Sequence, residues 1–332
     1  MDLEILIIHL NGKEVLRNCL KSIFKDNSKA KVRLLFNNTT DDSLKVLNEF
    51  PKVEHHISNE RLGFAQASNV LAKKSKAKYV IFLNNDVVVE KNWANELLKT
   101  IKKNKKCIAV QSKIRSYYKR SYFEYAGAAG GFVDKYAYPF CRGRIFGDIE
   151  KDNGQYDDER RVFWGCGVSL LVDRKYFIDS GMFDESFFMY AEELDFCWRA
   201  NNSGKEIWYS PKSVIYHIGS FSVNKEKINF KKEYLISRNH FICLIKNNTF
   251  PELIPLVAGK LFLEIISLIR FPLSRGIPFL LSIPSVFYHL IFSRHHNLNK
   301  KVIKSNSLPL IYQKSIAIEH FLKHKKKYSD LS

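Results

Sequence analysis

Cysteine is scarce in this sequence, and its spacing excludes two kinds of scaffold. The six cysteines among 332 residues are scattered and form no Cys-x-x-Cys pair. A disulfide framework or a structural zinc site would need regularly paired or closely spaced cysteines. We therefore expect reduced, buried cysteines, as in a cytosolic protein.

A hydrophobic run long enough to cross a membrane is also missing. The longest stretch without a charged residue is 276–293, and it contains two prolines and a histidine. A spanning helix needs about 20 predominantly apolar residues, so this stretch predicts a segment that lies in the membrane interface or re-enters it. The acidic start at residues 1–4 is unlike the basic start of a signal peptide, so no secretory signal is predicted.

Acidic residues are few relative to basic ones. The chain has 53 Lys and Arg against 34 Asp and Glu, which gives a net charge of +19. Such a balance predicts an anionic partner. Residues 294–332 carry nine basic and two acidic side chains directly after the apolar stretch. This order predicts contact with an anionic membrane surface, and a soluble helical cap with a solvated basic face is the alternative.

The first hundred residues alternate between two patterns. Apolar, β-rich runs occupy residues 3–10, 32–36, 53–57 and 79–83. Segments with helical spacing occupy residues 13–24, 41–50, 64–75 and 93–103. This alternation predicts an α/β fold with a doubly wound, mostly parallel sheet, in which ligands bind outside the carboxyl ends of the strands.

The rest of the chain is less regular. Residues 116–161 predict a long loop, and residues 162–172 predict a strand that contains two glycines. A helix is expected at 192–202, and strands at 207–209 and 214–217. The composition then changes near residue 225. We therefore divide the chain into an α/β domain, 1–225, and a helical C-terminal region, 226–332, that associates with a membrane.

One candidate metal ligand follows a buried strand. Residues 79–83 are apolar, and Asn84, Asn85 and Asp86 come directly after them. A Mg²⁺ or Mn²⁺ ion held by one or two protein oxygens at this point could neutralise the phosphates of a nucleotide diphosphate. A polar strand end is also typical of an ordinary turn.

Carboxylates are concentrated at the start of the predicted helix 192–202. Glu192 and Asp195 share one helical face, whereas Glu193 points elsewhere. Clustered carboxylates raise one another's pKa, which suits a general base that takes a proton from a sugar hydroxyl. Acidic residues also favour any helix start through the helix dipole.

Two further features are candidates for binding. Gly165 and Gly167, beside Trp164, would let a ligand approach the backbone, although glycines in a strand are also typical of a bulge. His217 ends a predicted strand, where a histidine is either structural or a metal ligand.

These segments, taken in order, resemble the inverting nucleotide-sugar glycosyltransferases of GT-A fold called family 2, and within it a rhamnosyltransferase-like branch. Residues 7–12 resemble the first-strand Val-Asn-Tyr-Asn-Gly motif, and residues 37–43 resemble the nucleotide loop. Residues 59–69 resemble Asn-x-Gly-Phe-Ala…Asn. The other matches are residues 83–86 (Leu-Asn-x-Asp), 164–171, 183–199, His217 with Ser222, and Arg238 with Asn239.

The resemblance implies a role for each matching residue. Donor contacts are implied for His9, Asn11, Asn37, Arg61, Gly63, Asn69, Asn84 and Asn85. Acceptor contacts are implied for Trp164, Gly165, Gly167 and Asp195. Mg²⁺ or Mn²⁺ would be held by Asp86 and His217, and the base would be Glu193 or Glu192.

Two positions depart from the family pattern. Asn37 stands where relatives usually carry the Asp that contacts the nucleotide base, although an Asn can still bond an imide edge through its carbonyl. Glu193 stands where relatives mostly carry Asp. The choice of base between Glu192 and Glu193 therefore stays open.

The expected function is metal-dependent, inverting transfer of a sugar, with rhamnose as one candidate. The donor would be a nucleotide diphospho-sugar, and the acceptor a lipid-linked or polysaccharide hydroxyl in bacterial surface-glycan synthesis. We expect a cytoplasmic protein, peripheral at the inner face of the cell membrane, with no nucleic-acid partner and a possible oligomer. The alternative is a non-catalytic sugar-nucleotide-binding relative or a scaffold of a polysaccharide assembly complex.

Overall fold

The structure, a computed structural model, describes residues 2–26, 29–219, 229–292 and 307–331. Its strands are β1 (Leu3–His9), β2 (Lys31–Asn37), β3 (Glu54–Ser58), β4 (Tyr79–Asn84), β5 (Val87–Val89), β6 (Cys107–Ser116), β7 (Gly131–Asp134), β8 (Pro139–Cys141), β9 (Arg144–Ile145), β10 (Asp148–Ile149), β11 (Arg160–Val162), β12 (Ser169–Asp173), β13 (Glu206–His217) and β14 (Ile311–Tyr312). Its α-helices are α1 (Lys13–Lys25), α2 (Phe64–Lys74), α3 (Trp93–Lys103), α4 (Arg174–Asp179), α5 (Glu192–Asn202), α6 (Phe230–Asn247), α7 (Phe250–Arg270), α8 (Ile277–Phe292) and α9 (Ile316–Phe321).

The large sheet has the strand order β11-β13-β6-β12-β4-β1-β2-β3, with β5 paired to β13. Strands β4, β1, β2 and β3 are parallel, as are β6 and β13, whereas β12 runs antiparallel between β4 and β6. The predicted α/β fold with a mostly parallel sheet is confirmed. The predicted loops after β1, β2, β3 and β4 therefore meet at one edge of this sheet.

The core of the sheet explains the predicted helix faces. In α1, the buried side chains are Leu16, Cys19, Leu20 and Ile23, at helical spacing along one side. Strand β1 is buried along almost its whole length because helices cover both faces of a parallel sheet. All six cysteines are buried and unpaired.

A second sheet corrects the predicted loop at residues 116–161. Strands β7, β8, β9 and β10 form a small antiparallel meander within this range, and β14 pairs with β7 in parallel. The strands are two to four residues long and rich in turn residues, so they show no alternation that the sequence could reveal.

The predicted strand 162–172 is also wrong. Strand β11 ends at Val162, and β12 begins at Ser169. Trp164, Gly165 and Gly167 therefore lie in the connection between two strands. In contrast, the two strands expected at 207–209 and 214–217 are one strand, β13, with a register shift between Ser210 and Val214.

Three helices follow the large sheet. Helix α6 packs against α5 and α8, and its Phe241 stacks on Phe279 of α8 with ring centroids 5.5 Å apart. A single π-helical turn, Pro272–Gly276, joins α7 to α8. Among the described residues, none of the helices combines the length and apolar character that crossing a bilayer requires.

The described part of the basic tail is docked on the second sheet. The backbone N–H of Ile316 donates to Oδ2 of the buried Asp134 at 2.9 Å. Tyr328 packs on Phe132 with ring centroids 5.1 Å apart, and Leu331 is buried. Residues 307–331 therefore complete the fold of the preceding region, a role that the sequence-based view of the tail as a membrane anchor did not include. Residues 293–306 lie outside the described residues.

Candidate active site

The end of β4 and the end of β13 meet because of the short strand β5. After Asp86 the chain turns back, and Val87 of β5 pairs with His217 of β13. The backbone N–H of Ile218 donates to the carbonyl of Asp86 at 2.8 Å. This pairing fixes the Asp86 carboxylate beside the His217 imidazole at the carboxyl edge of the large sheet.

Asp86 and His217 form a close acid–imidazole pair. Oδ1 of Asp86 lies 3.2 Å from Nε2 of His217, and Nδ2 of Asn84 lies 3.5 Å from the same nitrogen. Burial opposes the charged form of each group, but their mutual attraction outweighs it. The pKa of Asp86 is therefore lowered and the pKa of His217 is raised.

A second acidic residue, Glu124, which the sequence did not single out, lies behind this pair. Oε1 of Glu124 is 4.0 Å from Nδ1 of His217. Gly219 makes room for it, since a Cβ on this glycine would come within 3.0 Å of the same Glu124 oxygen. Glu124 therefore places a carboxylate on the Nδ1 side of the imidazole, opposite Asp86.

The donor set at this point fits a divalent cation. A carboxylate oxygen and an imidazole nitrogen are both ligands that Mn²⁺ accepts, and a diphosphate would supply further oxygens. Within the described residues, no group of three His, Cys, Asp or Glu side chains is arranged to hold a metal by itself. The residues therefore fit an ion that is completed by a phosphorylated ligand.

His9 lies at the end of β1, fully buried, and contacts the loop after β4. Its Nδ1 is 2.7 Å from Nδ2 of Asn85, so the amide donates and Nδ1 accepts. Burial lowers the pKa of His9 to about 4, against the smaller effect of Asp41. The imidazole is therefore neutral, and Nε2 carries a proton that has no hydrogen-bond partner in the described residues.

The loops after β1 and β2 are tied to each other. Oδ1 of Asn11 accepts from the backbone N–H of Thr40 at 2.9 Å, and the N–H of Gly12 donates to Asp41 at 2.8 Å. Gly12 has φ of 110°, a backbone region that favours glycine. Asn11, which was predicted to contact the donor, thus holds the loop after β2 in place.

Asn37 holds the loop that follows β3. Its Oδ1 accepts from the N–H of Leu62 at 2.8 Å, and its Nδ2 donates to the carbonyl of Leu62 at 2.9 Å. The amide that was predicted to contact a nucleotide base is thus bonded on both sides to Leu62. Arg61, the neighbour of Leu62, is exposed at the same edge.

Glu192 and Glu193 begin α5 beside the connection between β11 and β12. Glu192 is 3% exposed, and burial together with the charge of Glu193 raises its pKa well above the ordinary value. Burial also raises the pKa of Glu193. Oε1 of Glu193 lies 3.5 Å from the N–H of Gly167, and Oε2 of each glutamate has no hydrogen-bond partner among the described residues.

Strained backbone positions Glu192 and Glu193. Phe188, Tyr190 and Ala191 have φ of 61°, 73° and 68°, in the left-handed region that non-glycine residues rarely adopt. Such strain persists where surrounding contacts enforce it, and it is concentrated at functional sites.

Helix α6 enforces this strain from outside. Nδ2 of Asn239 donates to the carbonyls of Phe187, Met189 and Tyr190 at 2.6–3.1 Å. Nη2 of Arg238 donates to the carbonyl of Phe187 at 3.0 Å. The sequence pointed to this Arg-Asn pair without assigning it a role. It holds the loop in front of α5.

Asp195, a predicted acceptor contact, has a structural role. Asp195 is fully buried and bonds Arg199 at 2.8 Å and Asn247 at 3.0 Å, with Lys246 at 3.2 Å, so it is not available to an acceptor. The pKa of Asp195 is lowered because these cations outweigh its burial. The predicted acceptor contact of Asp195 is therefore wrong.

Trp164 and Asn69 are corrected for a similar reason. The indole N–H of Trp164 donates to the carbonyl of Phe132 at 2.9 Å, and the ring covers Gly131. The buried amide of Asn69 bonds both the N–H (3.1 Å) and the carbonyl (2.8 Å) of Phe183. Both polar groups serve the fold instead of a ligand.

The glycines act by allowing close packing. A Cβ on Gly63 would lie 2.5 Å from the carbonyl of Phe188, and a Cβ on Gly165 would lie 2.6 Å from Leu170. A Cβ on Gly167 would meet the ring of Phe64 at 3.2 Å. Gly63 and Gly165 are therefore required by packing, whereas Gly167 also presents its N–H to a candidate base. Ser222 lies outside the described residues.

Comparison with solved structures places the fold. The structure of GalNAc-T7 with UDP, GalNAc and Mn²⁺ aligns with a TM-score of 0.59 at 15% identity, over 93% of this chain and 58% of that one. Mannosyltransferase PcManGT from Pyrobaculum calidifontis, in complex with GDP-Man and Mn²⁺, aligns with a TM-score of 0.54 at 12% identity, over 90% and 81%. The chain thus has the GT-A fold.

Sequence comparison gives the family. Residues 4–165 match the family model described as Glycosyl transferase family 2. Rhamnosyltransferase WbbL of Escherichia coli is 22% identical over 220 residues, 64% of this chain and 82% of that protein. An N-acetylglucosaminyl-diphospho-decaprenol L-rhamnosyltransferase of Mycobacterium tuberculosis is 37% identical over 68 residues, 20% and 22% of the two chains. The chain is thus similar to glycosyltransferase family 2 over residues 4–165, and it is rhamnosyltransferase-like.

Proposed function

We propose that this glycosyltransferase transfers a sugar from a nucleotide diphosphate donor to an acceptor hydroxyl, with inversion of configuration at the anomeric carbon. The observation that carries the proposal is a pair of neighbouring carboxylates beside Gly167, the buried Glu192 and the partly buried Glu193, both with raised pKa values. Val168, next to Gly167, accepts from the N–H of Asn84, so this pair lies near the end of β4 that carries Asp86.

Glu193 is the better base of the two. Glu192 is more deeply buried, and burial together with the charge of Glu193 raises its pKa well above the ordinary value, which disfavours its ionised form. Glu193 is only partly buried and faces the loop at Gly167. A base must be ionised and within reach of the hydroxyl whose proton it takes, and Glu193 meets both conditions better.

The proposed step is a single displacement. Glu193 takes the proton from the acceptor hydroxyl, and the acceptor oxygen forms a bond to the anomeric carbon from the face opposite the diphosphate. The bond from that carbon to the diphosphate oxygen breaks, and the oxygen keeps the electron pair. Asp86 and His217 would hold a Mg²⁺ or Mn²⁺ ion, which supplies positive charge to the leaving diphosphate. Neutral His9 can donate from Nε2 at the same edge.

The relatives' names define the substrate proposal. Both sequence relatives are called rhamnosyltransferases, and one name includes a diphospho-decaprenol acceptor. We therefore propose rhamnose as the first donor sugar to test and a lipid-linked diphosphate sugar as the acceptor. On this proposal the enzyme works at the cytoplasmic face of a membrane, in the synthesis of a surface glycan.

The test is a donor screen with the purified protein. Uridine, thymidine and guanosine diphospho-sugars are offered with Mg²⁺ or Mn²⁺, and release of nucleoside diphosphate is followed. We expect metal-dependent release from one donor, lost in Asp86→Ala and in Glu193→Gln. Asp179→Ala, which removes an exposed carboxylate at the end of α4, is the matched control and should behave as wild type. Nucleotide binding without release from any donor, with a lipid acceptor present, would favour a non-catalytic relative.

A further inference from the structure

We propose that the outward-facing apolar surface of α7 and α8, here called the outer face, lies on an anionic lipid bilayer. It is formed by exposed side chains along both helices, among them Ile254, Phe262, Ile265, Ile269, Leu281 and Phe287. Contiguous exposed apolar surface of this kind marks an interaction site in a folded protein. The proposal concerns a surface outside the active site, and it stands apart from the reaction proposed above.

The polarity of α7 is inverted relative to a helix on a water-exposed surface. Lys260 and Glu264 are buried on its inner side, whereas Ile269 on its outer side is 79% exposed. Nζ of Lys260 donates to the carbonyl of Tyr136 at 3.1 Å and lies 3.7 Å from the centre of the Tyr138 ring. Glu264 accepts from the Tyr138 hydroxyl at 2.8 Å.

The inverted polarity of α7 indicates which medium its outer side contacts. A surface helix in water places its charged residues outward and its apolar residues inward. In α7 the charged groups instead bond the second sheet, which fixes the orientation of the helix and turns its apolar side away from the protein. Such an arrangement is stable where the outer medium is itself apolar.

The charges on the outer face select the kind of partner. Among the described residues from 250 to 289, the exposed charged side chains are Arg270, at the end of α7, and Arg275, within the π-helical turn. Glu264 is buried and Glu252 is partly buried. The outer face is therefore apolar and cationic, without an exposed acidic residue.

A bilayer fits this combination better than a second copy of the chain. A symmetric dimer would join the outer face to itself, so it would add arginines and apolar groups but no acidic partner. An anionic bilayer offers acyl chains to the apolar side chains and phosphates to Arg270 and Arg275. Since no described helix can cross a bilayer, the two helices would lie along its surface.

The outer face lies close to the candidate active site, on the other side of α6. Helix α8 packs on α6 through Phe279 and Phe241, and α6 holds the loop before α5 through Arg238 and Asn239. One helix layer therefore separates the outer face from the catalytic glutamates. An acceptor whose lipid remains in the bilayer could thus be presented close to the active site.

The experiment is flotation of the full-length protein with vesicles. Wild type is mixed with phosphatidylcholine vesicles that either contain or lack phosphatidylglycerol. We expect flotation with the anionic vesicles, reduced at least about tenfold in the double variant Phe262→Gln with Ile269→Gln. Leu322→Gln is the matched control, because Leu322 is 71% exposed but lies just after α9. Arg270→Gln with Arg275→Gln should weaken anionic binding by about fivefold per arginine.

Two results would overturn the proposal. One is flotation of the Phe262→Gln, Ile269→Gln variant equal to that of wild type, with its fold verified by near-ultraviolet circular dichroism. The other is a wild type that does not float but is a dimer by light scattering, and that the same double variant converts to a monomer. That second result would assign the outer face to a second copy of the chain. Neither result depends on sugar transfer. Failure of the bilayer proposal can therefore be distinguished from failure of the proposed reaction.

Discussion

The two edges of the large sheet differ in whether their polar side chains are exposed or buried. At the amino edge, two clefts of about 580 and 430 Å³ open where β1 and β4 begin and β12 ends. Their lining includes five lysines and an arginine beside three aspartates, and Lys175 pairs with Asp179 on the surface. At the carboxyl edge, Glu192, His9 and His217 are buried, and the loop before α5 is strained.

The difference shows that a well-formed cleft need not be the active site. A solvated lysine costs the fold little and can be exchanged freely. A buried carboxylate with a raised pKa, next to left-handed backbone, is costly and persists only where neighbouring residues enforce it. Chemistry is thus indicated at the edge where the protein retains unfavourable features.

The largest expected effect separates the two glutamates. Glu193→Gln should lower kcat by about 10²–10⁴-fold, the usual contribution of a positioned base. Glu192→Gln should lower it by less than about tenfold, since Glu192 is not the proposed base and an amide keeps the size of its side chain. Release of nucleoside diphosphate measures both, and Lys78→Gln at the amino edge is the control. A larger loss of kcat in Glu192→Gln than in Glu193→Gln would assign the role of base to Glu192.

The second effect concerns stability. Asp195→Ala removes a buried partner of both Arg199 and Lys246 and should lower the free energy of unfolding by about 3–5 kcal/mol. Asp179→Ala breaks an exposed pair with Lys175 and should change it by about 0–1 kcal/mol. Urea unfolding followed by circular dichroism gives both values. Equal losses of unfolding free energy in the two variants would show that the buried and the exposed aspartate do not differ in their contribution to stability.

The third effect tests the loop before α5. Asn239→Ala removes the side-chain donor of the Met189 and Tyr190 carbonyls, while the Phe187 carbonyl keeps Arg238 as a donor. It should reduce kcat by about tenfold, because each unsatisfied buried group costs about 1–3 kcal/mol. The donor KM should change little. Asn239→Asp, which cannot donate, should be no better than alanine. Asn104→Ala, which loses one bond near the amino edge, is the control and should be nearly silent.

The smallest effect is on the pH profile. Glu193 acts only when ionised, and burial raises its pKa, so kcat/KM should rise with pH through a value above about 4.3, the ordinary value for Glu. In Glu192→Gln this acidic limb should stay in place, because burial and not the charge of Glu192 raises the pKa of Glu193. Because the folded state holds the Glu193 proton more tightly than the unfolded chain does, stability should fall as pH rises through the same window. A limb that moves in Glu192→Gln would show that the two groups titrate as a coupled pair.

Much of the large sheet is predictable from the sequence because each element carries its own period. Strands β1 and β4 are continuous apolar runs, and helix α5 begins and ends where its pattern does. The second sheet is not predictable in this way. Its strands are too short for a period, and β14 comes from a distant part of the chain to pair with β7.

The candidate site is predictable only in part. Polar residues at strand ends, such as Asp86 and His217, follow from the rule that parallel strands share a carboxyl edge. The role of Asp195 was misjudged because its partner Lys246 lies on a separate helix. Glu124 was missed because no local pattern marks a side chain that acts behind a histidine.

The pairing of the second sheet with residues 307–331 also orders events during synthesis. The N–H of Ile316 bonds Asp134 across 182 residues of chain. At a synthesis rate of ~5–20 residues per second, the ribosome would need roughly 10–40 seconds to supply that partner. Until then, the second sheet lacks β14, while α7 and α8 have already emerged. A nascent chain therefore exposes its apolar helices before its meander is closed, which gives a nearby bilayer or chaperone the first opportunity to engage them.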